Sequence, residues 1–225
     1  MKDCRRSGGS MADGAHHQRW PATIAVVVAL GAQFAIPPQV TLGTRWLLPA
    51  LQVALLLPLV ATNPIRLRRD HPVLRALALA SAGVVLLANA ITLVHLVLLL
   101  IGGSSITSQQ LLVTGLVLVG TNVIATSVVL WELDRGGPFA RDPAHHRPEG
   151  EPDLLFPQMS LPQSASTPWR PAFMDYLFVG FTMSTAFSPT DTLPLSRRAK
   201  AVFMLGSTVA ITTFVVIAAR AANIL

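Results

Sequence analysis

The side chains able to do chemistry in this chain are few, and most lie within or beside apolar sequence. The densest group is Thr182, Ser184, Thr185, Ser188, Thr190 and Asp191, which sets five hydroxyls and a carboxylate within ten residues. Such oxygens suit the lining of a constriction, where they can replace the hydration shell of a small ion or polar solute. A second group sits inside apolar runs: Asn89, Thr92 and His95 at three-residue spacing, Asn122 with Thr121, Thr126 and Ser127, and Asp175 at the head of a short apolar stretch. An ionisable group at the membrane centre costs about 2.5–3.5 kcal/mol on insertion scales, so each merits a functional reading. His95 could relay a proton or touch a ligand; as a packing residue it would be a neutral imidazole bonded to a neighbouring helix, and that is the default. The hydroxyls of 121–127 serve packing between helices as readily as they would a cavity. Asp191 either attracts cations and holds the turn around it or caps the backbone at Thr192. Glu132, Asp134 and Arg135 read as a local ion-pair network, and Gln33 and Gln52 as hydrogen-bond partners between helices.

Other chemistries lack their residues. The sequence has no Ser-His-Asp arrangement, His-Glu-x-x-His motif or glycine-rich phosphate loop. The pairs His16-His17 and His145-His146 have no second ligand pair at metal spacing, and Cys4 is the single cysteine, which excludes an internal disulfide. No catalytic residue, metal or cofactor is therefore expected, and the chain does not read as an enzyme. An acid/base pair formed by His95 and Asp175 across a cavity would reverse that. The net charge of +6 suggests nucleic acid at first sight, but the basic residues stand beside apolar segments, where membrane topology accounts for them.

The elements that must hold these residues are apolar helices. The chain has 225 residues, 52% hydrophobic and 12% charged, with a mean hydropathy of +0.54; soluble domains carry roughly 25% charged residues. No Asp, Glu, Lys or Arg occurs between Arg19 and Arg45, between Arg45 and Arg66, between Arg75 and Glu132, or between Lys200 and Arg220. About 20 apolar residues cross a hydrocarbon layer, so the expected class is an all-α, polytopic transmembrane helical bundle. Residues 1–19 form a basic arm expected to be disordered, without the small-residue cleavage site of a secretory signal. Residues 20–133 hold four membrane helices, near Trp20–Pro37, Trp46–Thr62, Val73–Ile101 and Leu111–Trp131. Residues 134–170 are a polar, proline-rich loop with no expected core of its own. Residues 171–225 hold a short helix over Pro171–Phe187, a polar turn and a last span near Ala201–Ala222.

Orientation follows from basic residues, which favour the cytoplasmic side. Lys2, Arg5, Arg6 and Arg19, then Arg66, Arg68, Arg69 and Arg75, then Arg135, Arg141, Arg147 and Arg170 fall on one side if the first four helices span. The N-terminus is expected in the cytoplasm and the chain in the plasma (inner) membrane as a multi-pass protein. The helix over 171–187 is at the lower limit for crossing. It either crosses, giving six spans, or re-enters from the cytoplasmic face, leaving five and placing Arg197, Arg198 and Lys200 inside. The habit of keeping both termini inside tips the reading slightly toward six.

Two resemblances attach to the C-terminal half. Asp175-Tyr176 heading a short helix, Thr182 and Thr185, a polar turn, Asp191 and Pro194 before a last apolar helix resembles the pore-helix, filter and inner-helix module of potassium channels. Where that family has Thr-Val-Gly-Tyr-Gly, this chain has Thr185-Ala186-Phe187-Ser188-Pro189-Thr190, so potassium selectivity does not carry over. The motif Trp131-Glu132-Leu133-Asp134-Arg135-Gly136-Gly137-Pro138 and the Ala-Phe-Ser-Pro-Thr-Asp-Thr-x-Pro-Leu-Ser run at 186–196 are similar to an uncharacterised family of small bacterial multi-pass membrane proteins. That likeness covers mainly Trp131–Leu225 and implies no established activity. The resulting expectation is a channel-like or transport protein for a small ion or solute. It would be embedded in the lipid bilayer as a homo-oligomer, because one subunit has too few helices to enclose a pore. The alternative is a non-transporting membrane scaffold whose polar faces serve helix packing alone.

Overall fold

The computed structural model describes residues 20–41, 50–55, 72–138, 140–141, 151–161, 169–186 and 191–222. In chain order the elements are α1 (Trp20–Gln33), α2 (Pro72–Ile101), α3 (Ser108–Leu133), a single 3-10 turn (Asp134–Gly136), β1 (Leu154–Leu155), α4 (Pro157–Ser160), α5 (Phe173–Thr185), β2 (Leu193–Pro194) and α6 (Arg197–Ala221). Residues 50–55 are also helical. Among the described residues, three helices are long and apolar enough to cross a membrane, over Val73–Ile101, Ser108–Gly136 and Arg197–Ala221, and α1 is a shorter apolar helix.

The helix ends explain where sequence boundaries shift. The third apolar segment begins as expected and closes at Ile101, where Ser104 N–H reaches Leu99 O and Gly103 N–H reaches Leu100 O, the paired bonds of a Schellman ending. The fourth begins three residues earlier than its apolar run, because Thr107 and Gln110 form a reciprocal capping box. The last begins at Arg197 rather than near Ala201, since Ser196 accepts a hydrogen bond from Ala199 N–H and caps it. Arg197, Arg198 and Lys200 therefore form its first turn. The first helix ends at Gln33 and passes through turns to Thr41, four residues short of the expected end at Pro37. The arm at 1–19 and most of the expected second span lie outside the described residues.

Helix α3 is the centre. It packs against α1, α2, α5 and α6, and α5 also packs against α6. Its apolar face would not distinguish it from a lipid-facing helix; its burial does, with Leu118, Thr121, Asn122, Ser127 and Leu130 all essentially inaccessible. The core has two parts. One, around Trp131, Phe173, Tyr176, Val179 and Met183, lies where α3 ends. The other, around Ile36, Val40, Leu96, Leu100, Leu111 and Val216, lies where α3 begins.

The two ends differ in charge. Arg75 at the start of α2 donates through Nε to Glu132 O at the end of α3 (3.1 Å), so α2 and α3 run antiparallel. α6 starts at the same end as α2, because β2 just before it pairs antiparallel with β1, Leu154 opposite Pro194 and Leu155 opposite Leu193. This end carries Arg75, Arg135, Arg141, Arg170, Arg197, Arg198 and Lys200; it is called the basic end below. The far end is the turn at 102–107, which has no charged residue, with Gln110 bonded to Gln39 (3.1 Å).

The loop after α3 contributes to the helical core. Leu154 and Phe156 within it are buried, and Phe156 stacks edge-on against Tyr176 at 5.3 Å and tilted against Trp169 at 5.5 Å. Described parts of 134–170 thus belong to the core that surrounds α5.

Candidate functional site

The site is built around α5. Its 13 residues rise only about 20 Å at 1.5 Å per residue, against a hydrocarbon layer of about 30 Å. It starts at the basic end, where Phe173 meets Trp131 edge-on with ring centroids 5.5 Å apart. It runs antiparallel to α3 and stops level with the middle of α3 and α6. After it, the chain is again at the basic end by Leu193, in the β1–β2 ladder. The start of α5 and Leu193 thus lie at the same end of the bundle.

Small residues let α5 sit this deep. A methyl group added at Gly180 would lie 2.9 Å from Val123 O and would collide with Ser127 Oγ. One turn on, Met183 packs on Gly206 of α6, where an added methyl would lie 2.7 Å from Met183 Cε and 2.8 Å from Thr126 Cγ2. Polar ties join the same layer. Asn122 donates from Nδ2 to Gly206 O (2.9 Å), and Ser207 Oγ donates to Met183 O (3.4 Å).

At the basic end Asp134 fixes the head of α5. Its Oδ2 accepts the Tyr176 hydroxyl at 2.6 Å and its Oδ1 accepts Asp153 N–H at 2.9 Å. Arg141 lies 3.8 Å from the same carboxylate, donates to Trp131 O (2.9 Å) and to Asp134 O, and stands 5.2 Å over the Tyr176 ring. Asp134 is fully buried and Arg141 nearly so. A charge so placed is tolerable only when paired and hydrogen-bonded, and a cation over an aromatic face adds attraction. The turn that makes this possible is left-handed at three successive residues, Arg135 (φ 49°), Gly136 (φ 84°) and Gly137 (φ 100°). Glycine adopts such angles without a side-chain clash, whereas Arg135 needs support, and its N–H donates to Asp153 Oδ2 (3.2 Å).

Asp153 carries the tie on to α6. Its carbonyl accepts Leu195 N–H (2.9 Å) and Ser196 N–H (3.4 Å), and its Oδ1 lies 3.7 Å from the exposed Arg198 guanidinium. Asp134 and Asp153 together hold the end of α3, the start of α5 and the start of α6 in one cluster.

The residues singled out from sequence are not brought to one place. Thr182 and Thr185 turn back on their own helix, to Phe178 O (2.8 Å) and Phe181 O (2.9 Å). Ser184 is fully buried toward the bundle, while Asp191 is exposed near β2. Ser188 and Thr190 lie outside the described residues. Asp175 accepts Ala172 N–H at 2.7 Å and serves the first turn of α5. Asn89 accepts from Thr121 Oγ1 (3.0 Å) and donates to Leu118 O (3.4 Å), which ties α2 to α3. His95 donates from Nδ1 to Val40 O at 2.8 Å, in the turns that follow α1. It lies toward the far end, whereas Asp175 heads α5 at the basic end, so the two do not face each other across a shared cavity. Gln52 is buried, but neither atom of its amide has a hydrogen-bond partner, unlike the interhelical pairing expected of it.

Sequence reading places Asp134 in a local network with Arg135. It misses Tyr176, Arg141 and Asp153, which are distant in the chain. The Arg135 guanidinium instead reaches Met159 Sδ (3.4 Å). The available signal was the Gly136-Gly137 pair two residues after a carboxylate at a helix end, which marks a sharp turn that can bury that carboxylate. Comparison of the chain with protein-family models, with curated proteins and with solved structures finds no match.

Proposed function

We propose that this chain is a five-span membrane protein with one re-entrant half-helix, α5, and that it forms a channel-like or transport assembly for a small ion or solute. The observation that carries the reading is the path of the chain around α5: it leaves α3 at the basic end, dips to mid-depth and comes back to the same end before α6. That order of long helix, half-helix, return and long helix is in keeping with a pore module, entered here from the basic end and not from outside as in potassium channels. Non-helical backbone at membrane depth is sustained only where protein or a water-filled cavity surrounds it, so a half-helix is a costly feature in a protein that only packs. Positive-inside bias assigns the basic end to the cytoplasm of the plasma (inner) membrane. Val40 lies toward the far end and Arg75 at the basic end, so the intervening chain has opposite ends to join, in keeping with a further span.

The outer face of α5 supports a homo-oligomer. Met174, Phe178 and Phe181 are more than half exposed in the single chain, and further subunits would be needed to enclose a path beside them. A second reading, a scaffold without transport, is favoured by Thr182 and Thr185, whose hydroxyls are already bonded to their own helix.

Flux through liposomes containing the purified full chain separates the two. The transport reading expects movement of a small ion or solute that falls sharply in Gly180→Leu, which displaces α5. A wild-type chain that is folded, oriented and impermeable to a panel of monovalent ions and small polar solutes would support the scaffold.

A further inference from the structure

The layer where α5 stops contains two buried polar groups that the packing does not use. Among the described residues Ser184 Oγ and Asn122 Oδ1 have no hydrogen-bond partner, and both residues are wholly inaccessible. A helical serine normally has an easy partner in the carbonyl one turn back. Thr182 and Thr185 on the same helix, and Thr126 and Ser127 on α3, all take it. Ser184 does not, and its hydroxyl is left buried without a bond to its own backbone. Asn122 spends its amide nitrogen on Gly206 O, which leaves its carbonyl oxygen as an acceptor.

Register brings the two to one level. Gly180 lies against Val123, Thr126 and Ser127 of the antiparallel α3. Four residues further along α5 is one turn, about 6 Å, which puts Ser184 level with 119–123 and hence with Asn122. Met183, its neighbour, packs on the same Gly206 that Asn122 bonds. Buried polar groups without partners are uncommon and call for an explanation such as a bound water or ion. The C-terminal end of α5 falls at this level too, and a helix C-terminus carries partial negative charge.

We infer that Ser184 Oγ and Asn122 Oδ1 are ligands of a monovalent-cation site at the inner end of α5. Both ligands are neutral oxygens, and the described carboxylates are at the basic end or exposed. Hard divalent ions are typically held by carboxylates, so sodium- or potassium-sized ions fit the donors and divalent ions do not. This names the solute class for the proposed transport reading and rests on the same α5 geometry, but binding can be measured without flux.

The test is equilibrium binding of radiolabelled sodium and rubidium ions to the purified full chain in detergent. One saturable site is expected. Ser184→Ala and Asn122→Ala should each weaken it by roughly tenfold or more, equivalent to about 1.4 kcal/mol. Thr185→Ala, which removes an exposed hydroxyl bonded to its own helix, should leave it unchanged. Ser184→Ala removes a single atom, and Ser184→Cys offers a second variant of similar size should folding suffer. No saturable binding, or binding unaltered in both Ser184 variants, overturns the inference and identifies the layer as a buried-water site only. Flux without saturable binding would retire this site and leave the transport reading standing; binding without flux would do the reverse.

Discussion

The two ends of the bundle are held by different physics. At the far end Ile36, Val40, Leu96, Leu100 and Ile106 pack with few polar ties, among them the partly buried His95–Val40 bond. At the basic end the packing of Trp131, Phe156, Phe173 and Tyr176 is interlaced with a buried ion pair, Asp134–Arg141, and a chain of hydrogen bonds through Asp153. Apolar contact alone gives little preference for one depth of a helix in lipid, because lipid tails are as apolar as leucine. Directional bonds do give such a preference. α5 is therefore held in place mainly by its polar head and its glycine contacts.

That contrast can be broken by substitution. Asp134→Ala should have the largest effect, about 3–5 kcal/mol, because it strands Arg141 as an uncompensated buried charge; thermal unfolding of the detergent-solubilised chain measures it. Gly180→Leu comes next. Overpacking typically costs about 1–3 kcal/mol, and the collision with Ser127 and Val123 O sets it at the upper part of that range; protease cleavage near Trp169 should accelerate as α5 is displaced. Tyr176→Phe removes one hydrogen bond to a buried carboxylate and should cost about 1–3 kcal/mol with the ring packing kept.

The far end should respond less. His95→Leu loses one hydrogen bond, about 1 kcal/mol, and should leave protease access to α5 unchanged. Smallest of all is Arg198→Ala, because an exposed ion pair contributes about 0–1 kcal/mol. An unfolding shift for His95→Leu equal to that of Asp134→Ala would remove the distinction between the ends.

The legibility of the chain divides along the same line. Long apolar helices report themselves through one-dimensional runs free of charge, so Val73–Ile101 is nearly complete in the sequence. The caps at Thr107 and Ser196 are local patterns whose reach is only three residues, and reading hydropathy alone passes over them. Asp134 could be seen as part of a polar cluster at a helix end, but its partners Tyr176 and Asp153 are separated from it by 42 and 19 residues. Pairing at that separation is decided by packing, not by spacing. Thr182, Ser184 and Thr185 look alike in sequence. Rotation about a helix axis separates them, with Ser184 turned inward and Thr185 outward.

The path of the chain around α5 is open to labelling from either side of the membrane. In a Cys4→Ser background, single cysteines at Glu151, Leu195 and Ser105, all exposed, would be probed in intact cells with a membrane-impermeant maleimide, before and after permeabilisation. With α5 re-entrant, Glu151→Cys and Leu195→Cys should react only after permeabilisation, while Ser105→Cys should react from outside. Labelling of Glu151→Cys and Leu195→Cys from opposite sides of the membrane would mean that the segment between them crosses, and would contradict re-entry.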